Sequence, residues 1–159
     1  MIGFKKTAKV ILLAAGLILG HAAQAAGTVN PAAPNGNSDK PGATYGLGDR
    51  GLQGGKVYYV DASGEHGLEA KAADEISSLS WSDAVTAASA YGAGWHLPTK
   101  TELKVLYEQK KVVGGFAKDD YWSSTELDSN SAWIQGFVNG DQDRYNKYSK
   151  LSVRAVRAF

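Results

Sequence analysis

The chain holds no cysteine in its 159 residues, although it opens on what reads as an export leader, and that combination constrains its fold most. Lys5, Lys6 and Lys9 precede the apolar run Val10–Gly20, and Ala23-Gln24-Ala25 supplies the small-x-small pattern of a cleavage site, so cleavage is expected after Ala25. Exported proteins of modest size commonly rely on disulfides, and this one must be held by its core alone. The apolar run is about half of the roughly 20 residues needed to cross a bilayer, so no stable membrane insertion is expected. The expected location is periplasmic, extracellular or at the cell surface. Three of the 17 Lys and Arg leave with the leader while all 16 Asp and Glu remain, which puts the mature chain near −2 and argues against nucleic acid as a partner.

Organisation follows from composition. Residues 26–45 carry Pro31, Pro34 and Pro41 among Gly, Asn, Ala and Ser with little to bury, the composition of a flexible linker. One domain is expected over residues 46–159. Lys56–Asp61 reads as its first strand, with Ala62-Ser63-Gly64-Glu65 as the turn that follows. Ser80 stands as an N-cap before a helix over Trp81–Tyr91, and Thr99 with Glu102 forms a capping box before a helix over Lys100–Lys110. Beyond Gly115 the pattern changes to strands at Tyr121–Thr125, Ala132–Val138, Arg144–Tyr148 and Leu151–Ala158. Asn139-Gly140 between two of them signals a two-residue hairpin turn. The fold class is therefore α+β, with two helices packed on an antiparallel sheet.

Particular wording adds to pattern. Gly54-Gly55-Lys56-Val57-Tyr58-Tyr59-Val60, Glu65-His66-Gly67-Leu68-Glu69-Ala70, Trp95-His96-Leu97-Pro98-Thr99-Lys100, Tyr121-Trp122-Ser123-Ser124-Thr125-Glu126, Ala132-Trp133 and Val153-Arg154-Ala155-Val156-Arg157-Ala158-Phe159 occur in that order. Together they resemble the bacterial family named for the C-terminal domain of the Legionella collagen-like adhesin. The resemblance implies a C-type-lectin-like fold in which the N- and C-terminal strands pair, here Lys56–Asp61 with Leu151–Ala158. It also implies an adhesion module for sulfated glycosaminoglycans. A Gly-x-y collagen-like stalk is absent from this chain.

Catalysis is not expected. Serines 123 and 124 lack the flanking glycines of a nucleophile elbow, and the histidines beyond the leader, His66 and His96, lack the spacing of a metal site. Asn139, Asp141 and Asp143 copy the first positions of a calcium loop, but Arg144 stands where its glycine belongs and Lys150 where its glutamate belongs, so no cofactor is expected. Trp81, Trp95, Trp122 and Trp133 read as framework, and His96 as a satisfied histidine. What remains is a basic and aromatic run after Asp143. Arg144, Lys147 and Lys150 with Tyr145 and Tyr148 are the expected ligand contacts, because guanidinium and ammonium groups interleaved with aromatic rings suit an acidic polysaccharide or glycosaminoglycan. Arg154 and Arg157 belong instead to the framework ending. The competing expectation is a protein-interaction domain, binding a protein partner through loops Glu126–Ser131 and Asn139–Ser149 without glycan.

Overall fold

The computed structural model describes residues 42–159; the leader and most of the linker lie outside that range. Six strands and three helices follow in the order β1 (Lys56–Val60), β2 (Gly67–Ala70), α1 (Trp81–Ala90), α2 (Lys100–Glu108), α3 (Lys110–Val113), β3 (Asp120–Glu126), β4 (Ser131–Gly136), β5 (Gln142–Asn146) and β6 (Val156–Ala158). They make two antiparallel three-stranded sheets, ordered β1-β2-β6 and β3-β4-β5. The α+β class holds, but with two sheets in place of one.

Both expected helices form for the reasons legible in their caps. Ser80 accepts from the Asp83 amide, and Thr99 and Glu102 complete the reciprocal box at the start of α2. The second helix is shorter than expected: it ends at Glu108, where Gln109 leaves helical geometry, and a separate turn, α3, carries the chain to Gly114.

The expected pairing of Lys56–Asp61 with Leu151–Ala158 is not made. β2 lies between them, with Val57 opposite Glu69, and Glu69 in turn opposite Arg157. The sequence Gly-Leu-Glu-Ala carries no β-branched residue to announce a strand, yet this is the central one. Its geometry explains the composition. A Cβ on Gly67 would lie 2.2 Å from the Tyr59 carbonyl oxygen and 2.8 Å from the Phe159 ring, so no side chain fits there. Glu69, fully buried, accepts from the amides of Gln53 and Gly55 and from Arg157 Nη1 at 3.0 Å, so its charge is compensated on three sides.

The expected strand Leu151–Ala158 is regular only from Val156. Before that it runs as a seam between the sheets. Leu151 pairs with Leu79, Ser152 bridges Tyr121 of β3, and Val156 exchanges both backbone bonds with His96 while also lying opposite Ala70. Lys71 and Glu75 amides donate to Ala155 and Val153 on the way. Two apolar clusters meet at this seam. One gathers Ala84 and Ala88 of α1 with Trp95, Leu97, Trp122, Ala132, Ile134, Leu151, Val153 and Ala155. The other gathers Leu103 and Leu106 of α2 with Tyr58, Ala70, Val113, Tyr121, Phe137 and Val156.

Arg154 locks the seam. It is 1% exposed, its guanidinium bonds to Asp74 at 2.7 Å and to the carbonyls of Lys71, Gly114 and Gly115, and it stacks over Phe116 at 3.9 Å.

Candidate functional site

Strand alternation decides which residues of the second sheet reach a ligand. In β4, Ala132 and Ile134 point into the α1 cluster, so Trp133 between them points to the opposite face. That face is covered further along by α2 but left open beyond the helix N-terminus, and Trp133 remains partly exposed there. The first residue of α2 reaches it. The Lys100 amide donates to Thr125 Oγ1 at 2.9 Å, its carbonyl accepts from Gln142 Nε2 at 2.9 Å, and its Nζ lies 2.9 Å from the Trp133 ring centroid. The register of β4 with β5 places Arg144 directly opposite Trp133. Cross-strand partners share a face, so Lys100, Trp133 and Arg144 form one cationic and aromatic shelf. Arg144 is exposed, and its guanidinium makes no hydrogen bond or ion pair among the described residues; its backbone amide is held by Asp143 Oδ1 at 2.7 Å.

The five residues expected as contacts do not lie together. Arg144 stands on the shelf. Tyr145, 46% exposed, points to the other face, opposite Ala132. Lys147 is committed to the fold: its ammonium bonds Glu126 Oε2 and the carbonyls of Asp128 and Ser129, at 2.8 and 3.2 Å for the last two, and sits 4.7 Å from the Trp81 ring. It closes the Glu126–Ser131 loop like a buckle. Tyr148, 84% exposed, and Lys150, also exposed, lie on the turn after β5. The loops of the protein-partner expectation are likewise separated. Residues 127–130 and 147–149 meet through Lys147, whereas the turn at Phe137–Gly140 lies at the far end of β4.

That turn differs from the expected one. Gly136 bonds Asp141, which leaves four residues, Phe137–Gly140, in the loop where two were expected. The cause is Phe137, which leaves the ladder to pack among Tyr107, Phe116 and Tyr121. Gly140 closes the turn at φ 88°, a conformation costly for any residue with a side chain. Asn139 and Asp141 bond each other across it.

Trp95 and Trp122 are buried core, as the sequence implies, and Trp122 Nε1 donates to the Leu79 carbonyl. His96 is held on both ring nitrogens, by the Gly94 carbonyl at 2.9 Å and by Glu102 at 3.2 Å. Burial alone would lower the His96 pKa, but the Glu102 carboxylate and the Gly94 carbonyl outweigh it and raise it above its ordinary value. Burial likewise acts to raise that of Glu102, and His96 with the Thr99 cap prevails to lower it. Among the described residues no helix is long and apolar enough to cross a membrane, and no group of three or more His, Cys, Asp or Glu is placed to hold a metal ion.

No curated protein matches the chain. The profile of the Lcl C-terminal domain matches residues 60–157, from the end of β1 into β6, and so takes in α1, α2 and α3, the seam with Arg154, and the shelf formed by Lys100, Trp133 and Arg144. With more than half of its length matched, the chain belongs to the Lcl C-terminal domain family.

Proposed function

We propose that this is an exported, non-catalytic adhesion module that holds an acidic or sulfated glycan against the shelf of the second sheet. The observation that carries the reading is the placement of Lys100 over the ring of the partly exposed Trp133, with Arg144 as its cross-strand neighbour. An indole face packs against the apolar face of a sugar ring, and a guanidinium meets sulfate or carboxylate in bidentate fashion. Family membership and the leader-like N-terminus support adhesion as the setting. Lys147 is excluded, because its donors already serve the loop.

Retention on a heparin column tests the reading. Wild type is expected to bind at low salt and to elute early as salt rises, since exposed charges are screened over about 8 Å at physiological ionic strength. Arg144→Ala and Trp133→Ala should each cut retention while keeping a cooperative melt. Unchanged retention in both variants would move the site elsewhere.

One observation favours a second reading. Leu127, Tyr145 and Tyr148 are 43%, 46% and 84% exposed near the buckled end of the sheet, which suits contact with a protein. Loss of partner capture in Tyr148→Ser with heparin binding intact would favour it.

A further inference from the structure

The Lys100 ammonium does more than add charge to the shelf: at 2.9 Å from the ring centroid it covers the Trp133 face on which a sugar would stack. A neutral sugar can stack on that face only after moving the ammonium off the ring, which sacrifices the cation–π contact and returns to Lys100 no ionic partner, only hydroxyl or water acceptors. A sugar carrying carboxylate or sulfate offers the ammonium a new ionic partner at the same moment. We propose that Lys100 is the specificity-determining residue of the shelf, a lid over Trp133 that acidic sugars open and neutral ones do not. The inference rests on the glycan reading above and extends it from the place of binding to the basis of selection.

The fold suits Lys100 to this task. Its backbone is fixed on both sides, the amide by Thr125 of β3 and the carbonyl by Gln142 of β5, so only the side chain is free to swing. Arg144, the cross-strand neighbour of Trp133, is fixed in register by the β4–β5 ladder, and its guanidinium makes no hydrogen bond or ion pair among the described residues. An acidic group that draws Lys100 away from the ring therefore leaves an open indole face with a second cation on the neighbouring strand.

The same backbone anchoring makes the test clean. Lys100→Ala deletes the lid and keeps both main-chain bonds, and alanine is favoured within a helix, so the variant is expected to melt as wild type does. The probes are polygalacturonate and its fully methyl-esterified form, which share one sugar backbone and differ in charge. Binding is measured by isothermal titration with the full chain. Wild type should prefer the acid form by tenfold or more. Lys100→Ala should bind the ester about threefold more tightly than wild type does, the equivalent of one exposed cation–π contact, and the acid form more weakly.

The gain on the neutral polymer is the decisive readout, because a lysine that contributed only attraction would show the loss without it. If Lys100→Ala leaves ester binding unchanged or weakens it, the lid is refuted, while dependence of heparin retention on Trp133 and Arg144 would keep the shelf itself. If neither polymer binds wild type and heparin retention also ignores Trp133 and Arg144, the glycan reading falls and the lid falls with it.

Discussion

Replacing Arg154 with methionine keeps an aliphatic stem over Phe116 and removes the guanidinium that ties residues 71–74 and 114–115 to the seam. The loss is concrete: Asp74 loses its cationic partner, and the carbonyls of Lys71, Gly114 and Gly115 lose their donors. Asp74 retains the Tyr121 hydroxyl and the Ala117 amide, and its side chain is 17% exposed, so water reaches it in part. Breaking a buried pair by removing one partner costs about 3–5 kcal/mol, and the partial access of water places this case near the lower end, at about 3 kcal/mol. For a domain of this size that lowers the melting temperature by about 12 °C and the urea midpoint by about 2 M. Arg154→Lys restores one charge but not the planar fork, and should recover about half of the loss. The double variant Arg154→Met with Asp74→Asn should be less unstable than the sum of the singles, because the second change removes the stranded carboxylate. Urea unfolding followed by tryptophan fluorescence reads wild type and the four variants, Asp74→Asn included. A methionine variant within about 0.5 kcal/mol of wild type at the same m-value would refute the view that Arg154 locks the seam.

Three further outcomes follow from the packing. Gly67→Ala should destabilise by more than about 2 kcal/mol, in the range of overpacked cores, since its methyl would meet the Tyr59 carbonyl and the Phe159 ring; a melt matching wild type would show that β1 and β6 yield freely. The His96–Glu102 pair gives stability a pH window. Because the folded pKa of His96 is raised from 6.5, its contribution is complete below that value and is lost as pH rises through the folded one; because that of Glu102 is lowered from 4.5, its contribution holds above that value and is lost as pH falls through the folded one. Stability should therefore peak between about 4.5 and 6.5, and urea midpoints of His96→Gln should lack the decline above it, parallel profiles counting against the pair. Deleting residues 152–159 should abolish cooperative unfolding in calorimetry, because it removes the seam from both clusters and uncovers the edge of β2.

The helices were legible in the sequence because capping is local chemistry: a hydroxyl, an amide and a carboxylate three residues apart carry the whole signal. The central strand was not, because Gly67 and Glu69 suit β2 only through what surrounds them, a carbonyl too close for a side chain and an arginine 88 residues away. The site was half legible for a related reason. A two-residue turn at Asn139-Gly140 would have set Asn146 opposite Trp133, and only the four-residue loop, drawn out by burial of Phe137, brings Arg144 there. Lys100 was hidden as well, since a residue wholly accounted for as the start of a helix gives no sign that its far end rests on a ring from another sheet. Lys147 was read from its charge, while its neighbours, two backbone carbonyls and one glutamate, are fixed by the loop it closes.

The seam also sets the timing of biogenesis. Leu151, Val153 and Ala155 complete one apolar cluster, Val156 completes the other, and β6 covers a strand laid down about ninety residues earlier, Leu68 opposite Ala158. Synthesis proceeds from the other end, so α1, α2, α3 and the β3-β4-β5 meander are made while the strip that covers them is still missing. Contacts of such long sequence separation form slowly once the chain is whole. The domain thus acquires its stable form only after the seam residues Leu151–Ala158 have been made.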